Sequence, residues 1–113
     1  MWKTQERIAA FDADRFQSLG PGYLALNLAG EAGELANVIK KLWRTDARIG
    51  APDGFEAIPP ESRARLADEL ADVIIIGVVL ANQLGLDIDA EVDRKMRVIE
   101  ERLNGGYYGH EAK

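Results

Sequence analysis

Two pairs of acidic residues stand where an apolar helix pattern calls for hydrophobic side chains. Glu31 and Glu34 lie three apart in Leu28-Ala29-Gly30-Glu31-Ala32-Gly33-Glu34-Leu35, and Glu69 and Asp72 repeat that spacing in Asp68-Glu69-Leu70-Ala71-Asp72-Val73. Leu24, Leu28, Leu35, Val38 and Leu42 recur at three- and four-residue steps, the signature of one helix face. Glu31 falls in line with them, and Glu34 sits about 60° further round the helix. The second pair is embedded in the same way among Leu66, Leu70, Val73 and Ile76. Carboxylates side by side on apolar faces repel one another and are costly to desolvate. A divalent cation is the simplest group to offset that cost. If the two helices pack antiparallel, four carboxylates converge on a hard, oxygen-rich site suited to magnesium or manganese. A di-iron bundle needs Glu-x-x-His motifs, and the one histidine, His110, lies in a Gly-rich tail. A lone Glu-x-x-Glu is ordinarily a solvated face; two of them, each interrupting an apolar stripe, favour a site. Asp68 reads as solvent-facing or as support for that site, and Asp46, Asp53 and Glu56 as surface.

The chain that must position these groups has 113 residues, one domain over 1–113 by size. A hydrophobic fraction of 47% with few aromatics allows a core, but a modest one for a lone chain. The absence of cysteine excludes disulfides, thiolate zinc sites and cysteine nucleophiles. A net charge of −5 argues against a duplex nucleic acid partner and suits a site that gathers cations. No charged start followed by an apolar run marks a signal peptide, so the cytoplasm is the expected compartment. The longest apolar run, Val73 to Ala81, is far shorter than the ~20 residues of a membrane span.

The elements read as all-α. A first helix is expected over 4–18, stopped by Ser18-Leu19-Gly20-Pro21-Gly22. A second runs from Tyr23 to Trp43 or Arg44, with Lys40, Lys41 and Arg44 complementing the dipole at its end. The stretch 45–60, with two glycines and three prolines, reads as a long loop, the loosest part of the chain. A third helix opens at Pro60-Glu61 and closes at Leu84-Gly85. Asp87 is the expected N-cap of a fourth, Ile88 to Leu103, closed by Asn104-Gly105-Gly106, and 105–113 is a mobile tail. Between Leu70 and Leu80 the third helix is apolar on every side except Asp72. Such a helix must be covered all round, which predicts a four-helix-bundle-like fold in an obligate homo-oligomer, most simply a two-fold dimer.

The two acidic segments, Gly30-Glu31-Ala32-Gly33-Glu34-Leu35 and Asp68-Glu69-Leu70-Ala71-Asp72-Val73, resemble the double signature of the all-α nucleoside triphosphate pyrophosphohydrolases, the MazG-like superfamily. That superfamily includes dimeric dUTPases and dCTP pyrophosphatases, and the resemblance covers roughly residues 20–105. It implies magnesium-dependent hydrolysis of a nucleoside triphosphate between its α- and β-phosphates, giving the monophosphate and pyrophosphate. Glu31, Glu34, Glu69 and Asp72 are the implied metal ligands and catalytic groups, with Glu34 or Glu31 able to take the proton from water. Lys95 and Arg102 resemble the family's phosphate-contacting basic pair, while Ile99 stands where members often carry an asparagine. The stretch between Glu34 and Glu69 is longer than in compact members, and 45–60 accounts for the excess. Trp43, Asn27, Tyr23 and Phe16 are candidates for contacting the base, and Asn82 is either a core polar group or a nucleotide contact. A homodimer, or a tetramer made of two such dimers, is the expected assembly. Competing readings are a non-catalytic helical dimer acting as a binding module, and the same chemistry on a phosphoribosyl-linked nucleotide.

Overall fold

The computed structural model describes residues 1–12 and 19–105. They form four helices: α1 Lys3–Asp12, α2 Pro21–Thr45, α3 Pro60–Gln83 and α4 Ile88–Asn104, with no strand among the described residues. The part of the expected first helix beyond Asp12 falls partly on 13–18, outside the described residues, as does the tail from 106 onward.

Proline does not merely stop a helix here; it starts one. Pro21 occupies the first turn of α2, where its missing N–H has no partner to lose and its fixed φ suits the helix. Gly20 accepts the first intrahelical bond from Leu24 N–H at 3.1 Å. Pro60 opens α3 in the same way.

α2 and α3 pack antiparallel. Leu28 lies against Gly77, while Glu31 adjoins Asp72 and Glu34 adjoins Glu69, so positions rise along one helix as they fall along the other. The apolar stripe faces inward as its spacing requires: Leu24 and Val38 are buried, and Leu28, Leu35 and Leu42 are half-buried. α1 closes the α3 C-terminal half into a small core of Ile8, Leu24, Val78 and Val79, flanked by Trp2, Leu19, Ile75 and Leu80. The Gln83 amide donates to the Leu19 carbonyl and ties the end of α3 to the chain entering α2.

The 45–60 stretch is folded rather than loose. Two 3-10 turns, Ala47–Gly50 and Gly54–Ala57, occupy it. Asp46 organises the first: its Oδ1 accepts from Arg48 N–H at 3.0 Å, and the Arg48 guanidinium reaches both of its oxygens. Those hydrogen bonds, with the Arg48 charge, hold the Asp46 carboxyl below its usual range. Arg63 on α3 donates to the Ile58 carbonyl at 3.1 Å and to the Phe55 carbonyl at 2.8 Å, anchoring the second turn. Gly54 is buried where any Cβ would run into the Arg48 and Ile49 backbone, so the two turns can close only around glycine.

Gly85, with φ of 70°, turns the chain out of α3. α4 then leaves at 102° to α3. Asp87 stands at the N-cap position, as expected, but makes no capping bond. The Ile88 N–H goes instead to Gln5 Oε1 on α1, at 2.9 Å. No residue of α4 is buried. Its apolar side chains Ile88, Val92, Met96, Ile99 and Leu103 fall at helical spacing on one face, with Val92 50% and Met96 62% exposed. Leu70 and Ile74 on α3 are also exposed. Among the described residues no single helix is long and apolar enough to cross a membrane.

Candidate metal centre

The antiparallel register of α2 and α3 turns the two acidic pairs toward each other. Glu31, Glu69 and Asp72 each offer a carboxylate oxygen, and these oxygens all lie within 4.8 Å of one another. Glu34, three residues along α2 from Glu31, flanks this group, and its charge bears on both Glu31 and Glu69.

Electrostatics point the same way. Burial, then the charges of Glu34, Asp72 and Glu69, push the Glu31 carboxyl above its ordinary value of 4.5. Burial also leads for Glu69, reinforced by the charges of Glu34 and Asp72, with Arg65 pulling the other way. Glu31 Oε2 and Glu69 Oε2 are both buried without a hydrogen-bond partner among the described residues. Buried acceptors left unpaired are costly, more so when charged. Among the described residues the donor set is oxygen only, with no nitrogen or sulfur ligand in the group. That set fits a hard divalent cation such as magnesium or manganese.

A cavity of about 410 Å³ opens beside the cluster, lined by Phe11, Asn27, Glu31, Asp72, Ile75 and Ile76. It lies within the size range of small-molecule sites. Asn27 precedes Glu31 by one helical turn on the same face of α2, so its amide and the acidic cluster look into one space. A neighbouring hollow of about 300 Å³, lined by Thr4, Arg7 and Ile8, shares Phe11 and Ile75 with the first.

The other expected site residues lie elsewhere. Trp43 packs its indole against Gly50, some nine residues beyond Glu34 and therefore about 14 Å along α2. Tyr23 is largely exposed and does not line the cavity. Phe16 lies outside the described residues. Lys95 and Arg102 sit on α4, which turns away from α3, and neither lines the cavity within one chain. Asn82 takes the core alternative: its Oδ1 accepts from Gln5 Nε2 at 2.9 Å. Phe11 is the cavity residue that pattern reading passes over, because one aromatic on a weak stripe looks like core. Gln5, fully buried, has no sequence signal at all in a helix of mixed charge.

The profile of the MazG-like family matches residues 33–106. The chain belongs to the MazG-like family. The matched stretch contains Glu34, Glu69, Asp72, Lys95 and Arg102, and Glu31 lies just before it. Among characterised relatives, dCTP pyrophosphatase 1 of Mus musculus is 38% identical over 93 residues, and that of Homo sapiens 39% over 93. Each alignment covers 82% of this chain and 51% of the relative, so the chain spans about half the length of these enzymes. The Gene 37 protein of Mycobacterium phage L5 is 35% identical over 97 residues, 86% of this chain and 76% of its own length. Family membership and the all-helical architecture agree, and both match the resemblance carried by the two acidic segments.

Proposed function

We propose that this chain is a metal-dependent nucleotide pyrophosphohydrolase, opening a nucleoside triphosphate between its α- and β-phosphates to release the monophosphate and pyrophosphate. The observation that carries the reading is the convergence of Glu31, Glu69 and Asp72, with two buried oxygens lacking partners among the described residues, at the mouth of a nucleoside-sized cavity. The likeness to two dCTP pyrophosphatases supports it.

Glu31, Glu34, Glu69 and Asp72 would hold magnesium, or manganese in its place. When bound, the ion supplies charge neutralisation on phosphate oxygens and lowers the pKa of a water molecule. Glu34, outside the three that converge most closely, or Glu31 would take the proton from the attacking water. Phe11 offers an aromatic face for the base, and Ile75 and Ile76 an apolar wall that excludes water. The Asn27 amide, donor and acceptor at once, can pair with a base edge that presents both, as cytosine does. Lys95 and Arg102 hold the non-reacting phosphates, Arg102 with bidentate capacity.

Two copies of the chain form the working unit. The uncovered apolar stripe of α4 and the exposed Leu70 and Ile74 of α3 are what a second copy would cover. In such a pair, α4 of either chain can bring its basic residues to a cluster. A cytoplasmic nucleotide pool is the matching setting.

The test is pyrophosphate release from a panel of ribo- and deoxyribonucleoside triphosphates, dCTP included, with and without magnesium. Magnesium-dependent release with monophosphate as the second product is expected. A protein that binds the metal yet turns over no nucleotide is instead the non-catalytic binding module.

A further inference from the structure

α4 has no buried residue to hold it in place within the chain. Within one chain its direction is set at the corner from which it springs. That corner is closed by Gly85 N–H to the Asn82 carbonyl at 3.2 Å and by Leu86 N–H to the Ala81 carbonyl at 2.9 Å. Across it lies Gln5, with 0% of its surface exposed. Its Nε2 donates to Asn82 Oδ1 at 2.9 Å and to the Leu86 carbonyl at 2.7 Å. Its Oε1 accepts from Ile88 N–H at 2.9 Å, one of the first-turn donors that have no partner within the helix. In return Asn82 Nδ2 reaches the Gln5 carbonyl at 3.5 Å.

One side chain thus bonds the last turn of α3, the turn itself and the first residue of α4. A leucine of similar size would pack α1 against α3 equally well and avoid burying an amide. A buried amide is tolerable only when its hydrogen bonds are all made, and at this position they are made only while the corner keeps its shape.

We propose that Gln5 is a positioning residue: it fixes the direction in which α4 leaves α3, and so where Lys95 and Arg102 stand for the phosphates. The second half of this statement rests on the role given to those two residues under the proposed function. Lever arithmetic shows why a corner matters. Lys95 lies about 10 Å and Arg102 about 21 Å along α4 from Ile88. A swing of roughly 10° moves them by about 2 Å and 4 Å on those arms, and misplacement by ~1 Å can cost ~100-fold in rate.

The experiment has two readouts. The chain lacks cysteine, so spin labels on cysteines introduced at Ala64 of α3 and Glu101 of α4 report the corner alone, once labelled chains are diluted into unlabelled ones. A narrow distance distribution is expected for the parent and a broadened or displaced one for Gln5→Leu. Asn82→Ala, which removes one of the three partners and leaves the amide buried, is expected to do the same to a smaller extent and carries the test if Gln5→Leu does not fold. An unchanged distribution in both variants overturns the proposal. The second readout is kinetic: kcat/KM falls on the order of ten- to hundredfold in Gln5→Leu, while Mn2+ affinity at the acidic cluster stays at the parental value. Mn2+ affinity falling in parallel would mean general loosening and would also overturn it. Should the parent turn over no nucleotide, the proposed function fails while the distance measurement still decides the corner.

Discussion

Glu31 on α2 and Glu69 on α3 bury one oxygen each, Oε2 in both cases, with no hydrogen-bond partner for either among the described residues. They offer carboxylate oxygens within 4.8 Å of each other. Two anions held this close across a helix pair are stable company only around a cation. Glu69→Gln keeps the shape and removes one of the charges. Its expected effect is a fall in Mn2+ or Mg2+ affinity of at least about 100-fold, since losing even a group that only orients a metal ligand costs ~10–100-fold. Isothermal titration with Mn2+ checks this without reference to turnover, and pyrophosphate release should fall at least as steeply. Parental metal affinity in Glu69→Gln would remove the cluster from consideration as a metal centre.

The acidic pairs were readable because helical periodicity makes a misplaced polar residue visible: Glu31 interrupts a row of leucines. The antiparallel register that brings Asp72 beside Glu31 follows from two adjacent amphipathic helices and a connection long enough to reverse direction. What periodicity could not show is anything decided by a single side chain reaching across the fold. Arg63 closes the 55–58 turn through two backbone carbonyls, and nothing in a run of charged residues distinguishes it from Arg65. Asp87 carries the local signature of an N-cap yet makes no capping bond, while the first N–H of the helix, at Ile88, is taken by Gln5, more than eighty positions away. Local propensity names the position and tertiary contact chooses the partner.

Protonation gives a test with a definite sign. Glu31 and Glu69 have folded-state pKa values raised above 4.5, so between 4.5 and those raised values the native state binds more protons than the unfolded one. Stability then decreases as pH rises through that window. The metal-free protein is expected to lose stability from about pH 4.5 upward through the raised values, and saturating magnesium should remove that loss at neutral pH. Asp46 acts oppositely and in a lower window: its depressed pKa stabilises the fold above the ordinary 3.8 and ceases to do so as pH falls through its folded value. Urea titrations with chelator and with magnesium, repeated across this range, separate the two. A metal-free profile with no decline above pH 4.5 would contradict the shared burden of charge at the cluster.

The 45–60 segment is ordered through Arg63, whose guanidinium serves the Phe55 and Ile58 carbonyls while remaining solvent-exposed. Arg63→Ala should cost about 1 kcal/mol, the lower end for charged hydrogen bonds because water competes at the surface. Urea unfolding measures it. Metal affinity should be unaffected, since the anchor lies at the α3 N-terminus, a turn and a half before Glu69.

The apolar face of α4 supplies a test of assembly. Val92 at 50% and Met96 at 62% exposure leave an apolar stripe on the surface, and a contiguous exposed apolar patch marks an interaction site. Met96→Glu places a charge in the middle of that stripe, where burial without a counterion is strongly unfavourable. Sedimentation equilibrium should show an oligomer for the parent and a shift toward monomer for the variant, with helical content retained by α2 and α3. A monomeric parent would leave the α4 stripe without a second copy to cover it.

Phe11 decides whether the cavity takes a nucleobase. It lines both the space beside Glu31 and Asp72 and the adjoining hollow toward Arg7, and it is the aromatic ring on the cavity wall. If it stacks on the base, Phe11→Ala removes about 1–3 kcal/mol of binding, by the scale of base–aromatic stacking. KM for the preferred nucleotide should then rise by roughly ten- to hundredfold, with kcat changed less because the carboxylates and their metal are untouched. Phe11→Tyr preserves the ring and should retain most of the affinity. Free pyrophosphate, which has no base, is the control: its inhibition constant should be the same in Phe11→Ala and the parent. If pyrophosphate binding weakens in step with KM, the ring shapes the metal centre rather than the base pocket, and the base must be held by another wall.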